Sequence, residues 1–365
     1  MPKNHKQLND CGIFVGFNGA GAAGIFAYTR VLKARGFKID FFGINEIYFN
    51  QQVDILLKFP KNPWQSFKAR WKLFFEFLPK YDIWHFNYSQ TLFFYPLNIL
   101  LLKLYGKKIV VTFRGSDVET NLDFTKTNPV IKAHKKDWPS YFKNFHHLTW
   151  SAKTAKKIRT CFLTFFSDAK IINGPGLASS VPGYDLIIPY ARDLEKVKKF
   201  RTFRQSTLEN RKLIVLHVPS EPKVKGTDYV KRAFENLGVK YPNIEFKISD
   251  FMPYNELLEE MSKADIIIDQ LLVGWYGGQA VEAMTLNCAV MCFLEPSYLE
   301  KVPFSKTIPI ANTNVFTFQE DLEKLINDSE KIADLKQRGP EFADTYHSAK
   351  HIADAYQKVY EEVLK

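Results

Sequence analysis

Short apolar runs rich in branched residues recur along this chain, each followed by a stretch patterned for a helix, and this alternation restricts the fold more than any other feature. Gly12 to Asn18, Lys38 to Phe42, Ile83 to Asn87, Lys108 to Phe113, Leu148 to Ser151 and Ala169 to Ile172 read as strands of one series. Leu213 to Val218, Ile244 to Ile248, Ile266 to Asp269, Ala289 to Phe293 and Thr307 to Ile310 form a second, with helices expected near Thr227 to Leu237, Tyr254 to Lys263 and Gly278 to Leu286. Strands that alternate with helices build parallel sheets covered by helices, so the expected class is α/β. At 365 residues the chain is about twice the usual domain size, which favours two separate cores. Pro175, Pro182 and Pro189 precede a basic stretch and mark the join. The expected domains are therefore 1–188 and 189–345. A closing helix over 346–365, with Ile352, Ala355, Tyr356, Val359 and Tyr360 at helical spacing, is expected to pack back on the first domain. No helix-pair or blade period is present, which argues against a solenoid or propeller.

An apolar share of 46% against 24% charged residues excludes a largely disordered chain. Met1 to Asp10 lacks the apolar segment of a secretory leader. Leu92 to Leu102, the longest apolar stretch, is interrupted by Pro96 and Asn98 and is too short for roughly 30 Å of hydrocarbon. The four cysteines, Cys11, Cys161, Cys288 and Cys292, are scattered and lack the companions of a zinc site, so they read as reduced thiols. A cytoplasmic protein is expected, with peripheral contact to the inner face of a membrane as a further expectation.

Two loops carry phosphate-binding chemistry. Gly19-Ala20-Gly21-Ala22-Ala23-Gly24 follows a strand, opens a helix and matches G-x-G-x-x-G, with Asp40 about twenty residues on. Glycines admit close backbone approach, and a helix start offers free N–H groups to any phosphate. Diphosphate binding follows more directly than NAD binding, because Asp40 sits inside its strand and not at its end; a plain packing loop is the competing reading. In the second half, His217-Val218-Pro219-Ser220-Glu221-Pro222-Lys223-Val224-Lys225-Gly226 ends a strand and leads through basic residues into a helix. Lys225 can meet a diphosphate there as a point charge. After the strand Ile266 to Asp269, the turn Gly274-Trp275-Tyr276-Gly277-Gly278-Gln279 enters a helix that places Glu282 just past its first turn, suited to accept two neighbouring hydroxyls. An ordinary solvated Glu is the alternative.

Together these segments resemble the retaining glycosyltransferases of the GT-B fold, specifically glycosyltransferase family 4. Gly16 to Gly24 is similar to that family's first glycine loop, and Tyr81-Asp82-Ile83-Trp84-His85-Phe86 to its "D-I-V-H" strand. Val110 to Asp117 resembles its "T-x-H-G-S-D" segment, Lys223 to Gly226 its "K-G" loop, and Gly274 to Met284 its "E-x-F-G-x-x-x-x-E-A-M" signature. The resemblance implies two Rossmann-like domains facing a cleft and a nucleotide-diphosphate sugar as donor, with no obligatory metal or other cofactor. Arg114, Lys225 and Glu282 are the implied catalytic residues. Lys225 would neutralise the donor diphosphate, Glu282 would hold the ribose, and backbone groups of Gly277, Gly278 and Gln279 would face the phosphates or sugar. The loop with Gly19, Gly21 and Ala22 would close on them from the other domain. His85, Asn87, Arg114 and Asp117 fall on the acceptor side.

Three departures matter. The family's first signature Glu falls on Gly274, its basic residue before the diphosphate Lys falls on Ser220, and its "H-G" His is replaced by Arg114. Lys223 is therefore expected to share the phosphate charge, and Asp269 to substitute as a sugar contact. Arg114 can donate to a hydroxyl or phosphate but cannot act as a base. The implied reaction is front-face retaining transfer to a glycan or lipid-linked acceptor, in building a surface polysaccharide or glycoconjugate. Two readings compete: an NAD-dependent oxidoreductase built on Gly19 to Gly24, and a non-catalytic sugar- or membrane-binding relative.

The net charge of +11 is unevenly spread: residues 1–190 carry +14 and residues 191–365 carry −3. Basic residues at Lys132, Lys135, Lys136, Lys143, Lys153, Lys156, Lys157 and Arg159 interleave with Trp138, Tyr141, Phe142 and Trp150. No nucleic-acid module accompanies them, so an anionic acceptor or anionic membrane surface is expected and nucleic acid is not. The segment Trp64 to Leu78, with Trp64, Phe67, Trp71, Phe74, Phe75 and Leu78 on one face, fits either a helix packed on the first sheet or an interfacial helix.

Overall fold

The computed structural model of the chain describes residues 10–15, 22–44, 53–87, 92, 97–115, 130, 150–201, 211–250 and 252–365. They fall into two compact units. One takes the described residues of Met1–Thr120, Leu148–Ala191 and Ala349–Lys365, the other those of Asn121–His147 and Arg192–Ser348.

The first unit runs β1 (Cys11–Val15), α1 (Ala22–Ala34), β2 (Ile39–Ile44), β3 (Ile55–Leu57), α2 (Pro63–Phe77), β4 (Ile83–Asn87), α3 (Leu97–Leu104), β5 (Lys108–Phe113), α4 (Trp150–Phe166), β6 (Ala169–Ile172) and β7 (Leu186–Ile187). Its sheet has the order β3-β2-β1-β4-β5-β6-β7, and every pairing is parallel. Parallel strands are covered on both faces, which is why Ile83–Asn87 is buried at every position. On α1 the spacing of Ile25, Tyr28 and Leu32 turns one stripe into the core. Asn62 caps α2, accepting from the N–H groups of Trp64 and Gln65 at 3.0 and 3.2 Å, with Pro63 in the first helical position.

The second unit runs α5 (Leu194–Lys198), β8 (Leu213–His217), α6 (Pro222–Lys225), α7 (Thr227–Lys240), β9 (Ile244–Ile248), α8 (Tyr254–Ser262), β10 (Ile266–Ile268), α9 (Gly278–Thr285), β11 (Ala289–Cys292), α10 (Pro296–Leu299), β12 (Ile310–Asn312), α11 (Phe318–Ile326) and α12 (Ser329–His347). The sheet order is β12-β11-β10-β8-β9, again parallel throughout. The chain then returns to the first unit as α13 (Ala349–Val363). This helix buries Ile352, Ala353, Tyr356, Val359, Tyr360 and Val363 in the first core, and the Tyr356 ring stacks on Tyr28 at 4.4 Å between centroids. Each large apolar side chain fully buried this way contributes about 1.5–3 kcal/mol before the entropy of ordering it.

The strand expected over 148–151 is corrected. Trp150 and Ser151 open α4, whose Ala, Lys and Arg favour helix; residues 148 and 149 lie outside the described residues. The last strand falls at Ile310–Asn312, with Ser305–Thr307 a 3-10 turn before it. The short edge strands β3 and β7 have no counterpart in the sequence reading.

In an open parallel sheet, ligands bind beyond the carboxyl ends of the strands where the order of connection reverses. That point lies between β1 and β4 in the first unit and between β8 and β10 in the second.

Candidate functional site

At the second switch point, β8 ends in His217 and β10 is followed by Asp269. His217 is a fixture of the strand ends. Its Nδ1–H donates to the Ile268 carbonyl at 2.9 Å, and its Nε2 accepts from the Thr227 hydroxyl at 2.9 Å. Burial lowers its pKa to about 4, so the ring stays neutral.

The loop after β8 closes as the single turn α6. Gly226 then reverses the chain at φ +79, a region that favours glycine, and leads into α7. Lys225, at the end of that turn, is 8% exposed. Its ammonium pairs with Asp269 Oδ1 at 2.7 Å and donates to Gln279 Oε1. Asp269 is 0% exposed, and its Oδ2 accepts from the Gly277 N–H at 2.8 Å. Gln279 in turn donates to the Val218 carbonyl at 2.9 Å. One carboxylate thus ties the basic loop after β8 to the glycine turn before α9. Asp269, expected as a sugar contact, is buried beside Lys225, and its two oxygens accept from that ammonium and from the Gly277 N–H, which orients the lysine.

Glu282, 6% exposed, sits one turn into α9. Its Oε1 accepts from the Tyr254 hydroxyl at 2.9 Å and faces Arg192 Nε at 3.4 Å. Burial pushes its carboxyl pKa up, with Arg192 opposing. It is not a solvated surface Glu. A diol meeting this carboxylate finds Oε1 already engaged. Ser220 and Lys223 are exposed in the loop after β8. Gly277 adopts the extended conformation at the start of α9, and Gly278 is its first residue. Arg192 and Tyr254 complete the cluster and were not on the sequence-based list; Arg192 lies in no motif and Tyr254 opens an expected helix with nothing to mark it as a contact, so only the fold brings them to Glu282.

In the first unit, His85 is fully buried. Its two ring nitrogens lie 2.8 Å from the Tyr360 and Thr112 hydroxyls, and burial lowers its pKa to about 3. His85, expected on the acceptor side, is a core residue joining β4, β5 and α13. Asn87, at the carboxyl end of β4, is also buried. Its Oδ1 accepts from Nε and Nη2 of Arg114, both at 3.3 Å, and its Nδ2 has no partner among the described residues. The Arg114 guanidinium lies 5.4 Å from the Tyr190 ring centroid, and the Tyr190 hydroxyl donates to the Arg114 carbonyl at 3.0 Å. Asn87 and Arg114 therefore mark the ends of adjacent strands beside the first switch point.

Gly19, Gly21 and Asp117 lie outside the described residues, as do Lys132, Lys135, Lys136, Trp138, Tyr141, Phe142 and Lys143 and the side chains of Trp150, Lys153 and Lys156. Ala22 opens α1. A Cβ on Gly24 would stand 2.5 Å from the Ala191 carbonyl oxygen, so the third glycine of the fingerprint is required for packing. Asp40 accepts from the Tyr81 hydroxyl inside β2. Among the described residues, no group of three or more His, Cys, Asp or Glu is placed to hold a metal, and no helix is long and apolar enough to cross a membrane.

No protein-family model matches the sequence, and no curated protein matches it. Solved structures do match. Anabaena Alr3699/HepE in complex with UDP aligns with a TM-score of 0.63 at 11% identity, over 96% of this chain and 99% of that one. A glycosyltransferase from Rickettsia africae ESF-5 aligns at 0.63 and 13% identity, over 98% and 99%. A putative UDP-N-acetylglucosamine 2-epimerase from Listeria monocytogenes aligns at 0.54 and 12% identity, over 97% of each chain. With two parallel α/β units and whole-length likeness to these proteins, the chain has the two-domain GT-B fold.

Proposed function

We propose that this protein is a glycosyltransferase that moves a sugar from a nucleotide-diphosphate donor to a hydroxyl of a glycan or lipid-linked acceptor, with retention at the anomeric carbon. The observation that carries the reading is the set Lys225, Asp269, Gln279 and Glu282 at the start of α9, in which the lysine and both carboxylates are buried. An ammonium has three N–H groups. Two are held by Asp269 and Gln279, which aims the third at a donor phosphate oxygen. The bond from the anomeric carbon to the diphosphate oxygen breaks, the acceptor oxygen bonds on the same face, and its proton passes to the departing diphosphate. Lys225 stabilises the charge that grows on that oxygen, and Glu282 fixes the ribose. The UDP bound by Anabaena Alr3699/HepE supports a nucleotide ligand.

On the acceptor side, Arg114, held by Asn87 and Tyr190, is suited to an acidic or hydroxyl-rich group at the first switch point. The outward aromatics of α2 favour an acceptor presented at an anionic membrane: Trp64, Phe67 and Phe75 are 74%, 48% and 53% exposed, beside Lys68 and Lys72.

The test is release of nucleoside diphosphate from donor sugars, with and without acceptor glycans. Acceptor-dependent release is expected, and both Lys225→Ala and Glu282→Ala should lower it more than tenfold, about 1.4 kcal/mol or more of transition-state stabilisation. Wild-type turnover in both variants contradicts the assignment. The likeness to a 2-epimerase keeps one alternative in view: conversion of the donor sugar with no acceptor present would identify that chemistry instead.

A further inference from the structure

The basic residue that the resemblance implies ahead of Lys225 falls on Ser220, yet a second cation stands at the same end of α9. Arg192 opens the longer segment of the second unit, anchored by its backbone N–H to the His347 carbonyl at 2.9 Å. Its guanidinium lies directly against Gly278, where a Cβ would fall 1.3 Å from Nη2 and 2.2 Å from Cζ. Any other residue at 278 displaces it.

Three features set this arginine apart from an ion pair made only for stability. Its head lies over the first residue of α9, the positive end of the helix, where a cation alone is disfavoured and an anion is welcome. The guanidinium carries five N–H groups, and the one facing Glu282 does so at 3.4 Å, too loose for a strong bond. The side chain is also 22% exposed against 8% for Glu282, so part of it is reachable by a ligand.

We propose that Arg192 is a donor-positioning residue whose guanidinium bridges Glu282 and the donor diphosphate, supplying the charge that Ser220 does not. A planar fork can hold a carboxylate on one edge and phosphate oxygens on the other. Ribose and diphosphate are thereby held in fixed relation, with Lys225 on the second phosphate contact. The proposal rests on the nucleotide-sugar reading of this site.

Calorimetry with UDP, GDP and ADP identifies the diphosphate that the wild-type protein binds most tightly, and the readout is the ratio of its affinity to that of the matching nucleoside. Arg192→Gln should lower this ratio by about tenfold or more, with the nucleoside nearly unchanged, and Arg192→Lys should recover part of it. Gly278→Ala keeps the arginine but displaces its head, and should lower the same ratio if Arg192→Gln fails to fold. A merely structural role would weaken nucleoside and diphosphate together and leave the ratio where it was, which would overturn the proposal. If wild type binds none of the three diphosphates, the reading of the site fails with it. If Lys225→Ala loses diphosphate while Arg192→Gln and Gly278→Ala do not, the reading stands and the role of Arg192 is refuted.

Discussion

At the scale of single residues, the site rests on a buried ion pair whose members do different work. Asp269 is sealed off and aims Lys225, so removing it strands a cation that is itself largely buried. Asp269→Ala should cost about 3–5 kcal/mol in urea unfolding, and the double variant with Lys225→Ala should cost less than the sum of the two singles. Additive losses would mean the pair is not coupled. His85 makes a second prediction. Folding holds its pKa near 3 through burial, while the unfolded chain titrates near 6.5. Above about pH 6.5 both states are neutral at this residue and nothing is lost; as pH falls toward 3 the unfolded state alone takes up the proton, at up to about 1.4 kcal/mol per unit. His217 adds to the same slope down to about pH 4. Melting temperature should therefore fall between pH 6.5 and 4, less steeply in His85→Gln, and equal slopes would refute the assignment.

At the scale of elements, α9 is positioned from behind. Gly339 of α12 packs on Met284, and a Cβ there would meet Met284 Cβ at 3.2 Å and its backbone oxygen at 3.3 Å. Because α9 carries Glu282, Gly339→Leu should destabilise by about 1–3 kcal/mol through overpacking. It should also weaken donor binding with no change to any binding side chain. A stable variant with unchanged donor affinity would show that α9 is not held by this contact. The helix α2 offers the other test at this scale. Phe74 and Phe77 face the core, whereas Trp64, Phe67 and Phe75 face out, so the aromatic stripe serves two surfaces. Replacing the three exposed rings by Ser should reduce co-sedimentation with anionic vesicles and leave melting temperature within a few degrees. Equal sedimentation of wild type with neutral and anionic vesicles would remove the membrane reading.

At the scale of the whole molecule, the paired β/α series was legible because parallel strands buried on both faces leave nearly continuous apolar runs such as Ile266–Ile268. Runs of two or three residues, β3 and β7, are too short to show a period. The segment from Leu148 to Ser151 read as a strand because four residues cannot distinguish the two periods. At the site, residues within motifs were legible: Lys225, Gln279 and Glu282 come together at one helix start. Depth was not legible. His85 and Asp269 have the chemistry of contact residues, yet the sheet encloses both, and burial on both faces of a strand leaves no alternation to read. Arg192 and Tyr254 escaped notice because their partner Glu282 is remote in sequence.

The central claim, that the second unit grips a nucleotide diphosphate through Lys225 and Glu282, is tested most directly by thermal shift over a panel of nucleotide-diphosphate sugars. A ligand at one hundred times its dissociation constant adds about 2.7 kcal/mol. The expected result is a clear rise in melting temperature for at least one donor in the wild-type protein, lost in Lys225→Ala. No shift with any nucleotide, or an undiminished shift in that variant, would contradict the account.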